Sequence, residues 1–179
     1  MNDDKLICVD FFDNEIGLEE KLTVHQKRML HRAFSLFCFY DDKVLLQIRN
    51  KNKYHSGGKI ANSCCSHQRS GETTVLACTR RAKEELGIDI TDPVEIGSMI
   101  YYADFNNGLA EYELDHIVAV KYNGAVKPNP EEIEDVYWES IDTIEKDIRN
   151  NPSKYAIWFI PAFRIFLSWY IRNNPETNL

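Results

Sequence analysis

Cys65 and His67 stand two residues apart in the run Asn62-Ser63-Cys64-Cys65-Ser66-His67. A thiol and an imidazole at this spacing share one face of an extended strand. They offer three chemistries: a nucleophile with its base, a carrier of carbon-bound protons, or a pair of metal donors. A buried, inert thiol is the plain alternative. His25 and His31 lie upstream, at and before the start of a long strand-like segment. Glu111 and Glu113 flank Tyr112, so strand alternation points both carboxylates to one face, with Asp115 continuing that parity and His116 opposite. Carboxylates held together this way need solvent or a shared cation. Three histidines with two carboxylates form a donor set for Mn²⁺, Mg²⁺ or Zn²⁺. Glu84 and Glu85 offer an oxygen-only site for a second Mg²⁺ against a phosphate. Lys21, Arg49, Lys51 and Lys53, with Lys59, place cations in and around a glycine-containing loop, which suits a phosphate or diphosphate. A solvated basic loop is the competing explanation for those charges.

The chain that must position these groups has 179 residues, the size of one domain spanning 1–179. Its net charge of −7 argues against a nucleic-acid surface but permits a local basic pocket. The five cysteines, Cys8, Cys38, Cys64, Cys65 and Cys78, are an odd set and are expected to be reduced thiols of a cytoplasmic protein. Met1-Asn2-Asp3-Asp4 is acidic where a secretory signal would be basic. Apolar runs such as Ala33 to Tyr40 are too short to span a membrane. A monomer or weak dimer is expected.

Strand patterns run over Leu6 to Phe12, His31 to Phe39 and Lys43 to Ile48, the last two joined by the Asp41-Asp42 turn. Asn50 to Ile60, with Gly57-Gly58, reads as a loop. A helix is expected from about Thr73 to Leu86, stopped by Gly87. Val94 to Asp104 and Glu111 to Lys121 pair around Asn106-Asn107-Gly108. Val136 to Trp138 is a short strand, and Ile141 to Ile148 and Tyr155 to Ile171 are helices. Strands and helices in this order predict an α+β fold of α/β/α layers.

Three of these motifs, in this order, resemble type I isopentenyl-diphosphate isomerase, a family of the Nudix fold: Leu30-His31-Arg32-Ala33-Phe34-Ser35, Asn62 to His67, and Gly108-Leu109-Ala110-Glu111-Tyr112-Glu113. The resemblance covers about Lys21 to Pro161 and implies a mixed sheet packed between helices. The corresponding Nudix box runs through Ser66, Glu72, Arg80, Arg81, Glu84, Glu85 and Gly87. In a Nudix hydrolase the first of these positions is Gly and that of Arg81 is Glu. A cation in place of a metal-binding carboxylate argues against ordinary diphosphate hydrolysis, and Arg81 and Glu85, four apart, are spaced to pair.

The resemblance also implies roles. His25, His31, His67, Glu111 and Glu113 match divalent-metal ligands. Cys65 and Glu113 match the two acid/base groups, and Tyr101 the assisting tyrosine. Glu85, with the carbonyl of Cys65, matches a site for a second Mg²⁺ bound with substrate. Lys21, Arg49, Lys53 and Ser66 match diphosphate contacts. The implied reaction shifts a double bond in isopentenyl diphosphate: a proton adds to the alkene and another leaves the adjacent carbon, through a species resembling a tertiary carbocation. Two departures bear on the hydrocarbon pocket. Pro161 is followed by Ala162 where the family has a bulky aromatic, which leaves Trp158 or Phe159 to fill the space. Ser56-Gly57-Gly58-Lys59-Ile60-Ala61 replaces an aromatic, Pro-Gly and another aromatic. The competing functions are a Nudix pyrophosphohydrolase, an isomerase acting on a different prenyl-type diphosphate, and a non-catalytic binding module.

Overall fold

The computed structural model describes residues 5–53 and 55–175. Met1-Asn2-Asp3-Asp4, on which the expectation about a signal rests, lies outside them. Among the described residues the strands are β1 (Lys5–Val9), β2 (Glu15–Glu20), β3 (His31–Tyr40), β4 (Lys43–Arg49), β5 (Ile60–Ala61), β6 (Cys64–Ser66), β7 (Val94–Asp104), β8 (Ala110–Lys121) and β9 (Ile133–Ser140). The α-helices are α1 (Lys21–Lys27), α2 (Thr74–Arg81), α3 (Ile141–Asn150) and α4 (Phe159–Asn173). No helix among the described residues is long and apolar enough to cross a membrane.

All the strands join one mixed sheet with β3 at its centre. β3 pairs parallel with β8 from His31↔Glu113 to Phe39↔Lys121, and antiparallel with β6, where Ser35 opposes Cys65. The β3–β4 hairpin is real but short: only Phe39↔Val44 and Tyr40↔Lys43 pair before the strands part. Beyond that point β4 takes β9 as its partner.

Strand parity sorts the core into two layers. Phe34, Leu36, Cys38, Leu45, Val118 and Val120 pack with Ala77, Cys78, Ala82 and Leu86 on the α2 side. Phe37, Phe39, Val44, Leu46, Ile117 and Ala119 pack with Ile141, Ile144, Phe159, Phe163 and Phe166 on the side of α3 and α4. This is the α/β/α layering expected from the order of elements. The odd-numbered face of β3 and β8 continues past the end of that second core to His31, Glu111 and Glu113. The aromatic core beneath α4 and the polar cluster are therefore two ends of one sheet face.

Several expected boundaries shift, each for a visible reason. The first strand stops at Val9 rather than Phe12, because the Asp10 carboxylate accepts from the backbone N–H groups of Phe12 and Asn14 and turns the chain. The helix begun at the Thr73 cap, whose side chain accepts from Leu76 N–H, does not run regularly to Leu86. After Arg81 it widens into a π turn, Ala82–Leu86. The backbone N–H groups of Lys127 and Asn129 donate to the carbonyls of Leu86 and Glu85, so the last turn is held from outside the helix. Gly87 then closes it at φ 66°, where an added Cβ would lie 2.7 Å from the Lys127 carbonyl oxygen. Tyr155 to Trp158 precede α4 instead of forming its first turn, since Tyr155 bridges Ile60 and Ala156 N–H donates to the Ile60 carbonyl. The sequence pattern also gave no warning of β2 and α1. α1 is a single short helix that ends at Arg28 in the left-handed region, φ 56°.

Phe166 is fully buried and stacks on Phe37 at 5.0 Å between ring centroids. Phe166→Ala should cost about 3–5 kcal/mol in urea unfolding. A loss below about 1 kcal/mol would contradict this description of the core.

Candidate active site and metal centre

His25 is the last but two of the α1 residues, His31 opens β3, His67 follows β6, and Glu111 and Glu113 lie on β8. One donor atom from each of His25, His31, His67 and Glu111 falls in a group whose members are all within 4.8 Å of one another. Glu113 adjoins it: its Oε1 is 3.1 Å from His67 Nε2 and 3.6 Å from His31 Nε2. The group is almost wholly buried.

The ring orientations fit a cation. His25 Nδ1 lies 2.6 Å from the Lys21 carbonyl and His31 Nδ1 lies 2.9 Å from that of Met29. A carbonyl can only accept, so Nδ1–H donates and each Nε2 keeps its lone pair facing inward. This is how a protein orients an imidazole for a metal. His31 Nε2 is buried without a hydrogen-bond partner, a costly state for a polar atom unless a cation takes the lone pair. Burial also holds His67 neutral, with its pKa lowered to about 4. Donors about 2.0–2.2 Å from one ion lie roughly 3–4 Å apart, so small side-chain adjustments would close this group around a divalent cation.

Both carboxylates are held ionised. Burial opposes this for Glu111, but the adjacent His25 and His55 imidazoles overcome it and its pKa falls far below the usual range. For Glu113, burial and the Glu111 charge push upward, and the adjacent His31 and His67 imidazoles outweigh them. Glu113 Oε2 accepts at 2.5 Å from the Tyr101 hydroxyl. Burial and the Glu113 charge keep that phenol protonated. Asp115, next along the face, is fully buried, accepts from Ser35 Oγ at 2.8 Å, and has its pKa raised well above normal by burial.

A cavity of about 370 Å³ opens in front of this group. Cys65, Ser66, His67, Tyr101, Glu111 and Glu113 line it, as do Lys21, Arg49, Lys53 and Glu85; His25 and His31 sit behind its wall. The sequence candidates thus come from α1, β3, β4, β6, β7, β8 and the end of the α2 segment to one place. Lys51 instead pairs with Glu134 on the exposed surface, and Lys59 donates to the Ser153 carbonyl. Neither joins the cavity wall.

Burial pushes the Cys65 thiol up to about 12, with the Arg49 charge opposing. A neutral thiol is a poor nucleophile, and its hydrogen-bond partner is Arg49 Nη1 at 3.3 Å rather than His67. A nucleophile–base pair is therefore not formed. Cys64, on the other side of the strand, is buried in the α2 core. Glu85 is buried and ion-paired to Arg81, which also reaches Glu132. Burial raises the Glu85 pKa and Arg81 works against that rise. Glu84 also lines the cavity, where it pairs with Arg80 and Arg81.

Of the further contributors, Arg69 had no legible signal, while the sequence marks Arg80 and Arg81 through the Nudix box and Trp158 through the hydrocarbon pocket. Arg69, Arg80 and Arg81 add cations to the cavity wall. Trp158, not Phe159, supplies its aromatic surface: Phe159 is in the core, and Ala162 is buried there too. Arg49 lies over the Trp158 ring, 5.0 Å from its centroid. Asn62 explains part of its own motif. Its Oδ1 accepts from Trp158 Nε1 at 3.1 Å, and its Nδ2 donates to the carbonyl of Cys64 at 2.7 Å. Ser63 Oγ donates to the Leu45 carbonyl and accepts from Cys38 N–H. Both side chains are fully buried fasteners for the strand that carries Cys65.

The NUDIX domain family model matches residues 29–159. In fold, the chain is similar to a solved protein of Deinococcus radiodurans, with TM-score 0.73 at 17% identity over 90% of this chain and 99% of that one. It is also similar to a MutT protein from Methanosarcina mazei, with TM-score 0.61 at 17% identity over 82% and 96%. The class is that of a Nudix-domain protein. Among relatives by sequence, an isopentenyl-diphosphate Delta-isomerase of Serratia proteamaculans is 41% identical over 163 residues, 90% of either chain. An isopentenyl-diphosphate Delta-isomerase 2 of Photorhabdus laumondii is 43% identical over 160 residues, 88% of this chain and 89% of that one. Within the Nudix class, the chain belongs to the isopentenyl-diphosphate Delta-isomerase family.

A divalent cation should stabilise the folded protein. At a hundredfold excess over its Kd the gain is about 2.7 kcal/mol, or several degrees in melting temperature. A chelator should reverse the gain and His31→Ala should abolish it. An unchanged melting temperature with Mn²⁺, Zn²⁺ and Mg²⁺ alike would contradict a metal centre.

Proposed function

We propose that this protein, a single domain, isomerises isopentenyl diphosphate to dimethylallyl diphosphate. The observation that carries the reading is the meeting, in one largely buried cavity, of a neutral thiol, a phenol-capped carboxylate and a cation-rich wall beside a His/Glu metal cluster. His25, His31, His67, Glu111 and Glu113 would hold Mn²⁺ or Zn²⁺, since nitrogen and oxygen donors together suit these ions. Glu85 would hold Mg²⁺ arriving with the diphosphate, because Mg²⁺ keeps oxygen ligands. The first ion supplies a fixed positive charge that orients the carboxylates and sets their basicity.

The chain's own groups account for the rest. Lys21, Arg49, Lys53 and Ser66 bind the diphosphate, aided by Arg69, Arg80 and Arg81, and so supply binding energy remote from the reacting carbons. Cys65 is on β6 and Glu113 on β8, strands that pair with β3 on its two sides. The pair manages the two protons: one is added at the terminal carbon of the alkene and one is removed from the carbon on the far side of the double bond. Tyr101, donating to Glu113, keeps that carboxylate oriented and serves as its proton partner. Trp158 and Tyr101, with ring centroids 6.3 Å apart, turn aromatic surface to the hydrocarbon. Such surface stabilises a developing cation and keeps out the water that would trap it.

Hydrolysis is the weaker reading. Arg81 stands where a Nudix hydrolase has a carboxylate, so one oxygen donor for the metals of hydrolysis is replaced by a cation.

Cys65→Ala and Glu113→Gln should each lower isomerase turnover on isopentenyl diphosphate by at least about a thousandfold, with far-UV circular dichroism unchanged. Near-full activity in either folded variant would remove the assignment.

A further inference from the structure

His55 belongs to the loop between β4 and β5, outside the motifs that carry the family resemblance. Its Nε2 lies 2.7 Å from Glu111 Oε1, and its side chain is 6% exposed. The ring stacks on Phe105, from the turn between β7 and β8, at 4.7 Å and an interplanar angle of 16°. It meets Trp158 edge to face at 5.7 Å. One side chain thus ties together a loop, a hairpin turn, the start of α4 and the carboxylate of the metal cluster.

The loop is built to hold that position. Gly58 N–H donates to the Arg49 carbonyl and Lys59 N–H to that of Ser56. Ser56 takes φ 52°, in the left-handed region. At Gly57 an added Cβ would lie 2.5 Å from the Lys51 carbonyl oxygen, so the chain can fold back there only without a side chain. The Ser-Gly-Gly stretch therefore serves as the hinge that delivers His55 into the site.

We propose that His55 is a positioning residue for the metal centre. It donates Nε2–H to Glu111 Oε1 and fixes the carboxylate against the inward-facing nitrogens of His25, His31 and His67. It does not itself ligate the ion. The proposal rests on the functional reading above only in requiring that the cluster bind a divalent cation. Carboxylate ligands are themselves held by hydrogen bonds, and loss of such a partner typically weakens metal binding by 10–100-fold.

The test is Zn²⁺ and Mn²⁺ affinity of the purified protein, measured by competition with a chromophoric chelator. His55→Phe keeps the stack on Phe105 and Trp158 but loses the donor, and should bind either ion about 10–100-fold more weakly. His55→Gln keeps an N–H donor and should recover most of that loss. Equal affinity in His55→Phe, or a loss in His55→Gln as large as that in His55→Phe, overturns the proposal while leaving the isomerase reading intact. Absence of binding by the unsubstituted protein removes that reading, and this assignment with it. A second measurement needs no variant: in ¹⁵N-histidine spectra of the Zn²⁺-bound protein, His55 Nε2 should carry a proton. A metal-coordinated or unprotonated His55 Nε2 overturns the proposal even if the variants fail to fold.

Discussion

The parallel register of β3 against β8 is the constraint on which the site depends. His31 opposes Glu113, and the pairing then runs without a slip to Phe39↔Lys121. Strand side chains alternate, so a shift of one residue would turn every group to the opposite face. Tyr112 and Leu114 would then replace Glu113 beside the histidines. The same shift would detach Ile117 and Ala119 from the aromatic core beneath α4. Packing of that core thus enforces the alignment of the polar cluster. Stability is invested at one end of the sheet face and exploited at the other.

The cluster is electrostatically costly. Two buried carboxylates stand one strand repeat apart, and burial raises the pKa of each. The surrounding imidazoles offset this, and two of those rings, His25 and His31, are locked by backbone carbonyls so that their lone pairs face inward. A divalent cation would resolve what remains, by giving His31 Nε2 a partner and screening the two carboxylates from each other. The cavity wall combines cations that would suit a diphosphate with aromatic surface that would suit a hydrocarbon. Arg49 spans both, reaching Cys65 with one nitrogen and lying over Trp158.

Much of this was legible in the sequence because it follows period-two alternation and short motifs. The common face of Glu111 and Glu113, the Asn-Gly hairpin, the Gly87 stop and the pairing of Arg81 with Glu85 all come from local spacing. What stayed hidden comes from tertiary contact. His55 looks like any polar loop residue until the fold sets it against Glu111. Trp158 and Phe159 are both candidates for the place after Pro161, and the choice of Trp158 is made by the bonds of Tyr155 and Ala156 to Ile60, which delay the start of α4 until Phe159. The π turn that swings Glu85 inward depends on backbone donors some forty residues downstream. Asn62 and Ser63 belong to a motif legible for its thiol and imidazole, yet their work is to fasten the strand.

The most direct measurement is incubation of the protein with isopentenyl diphosphate, Mg²⁺ and Mn²⁺ in deuterated water, followed by NMR of the products. Dimethylallyl diphosphate with deuterium in its new methyl group is the expected result, since the added proton comes from a side chain in exchange with solvent. Recovery of unlabelled isopentenyl diphosphate alone, or release of inorganic phosphate in place of an isomer, would contradict the isomerase assignment.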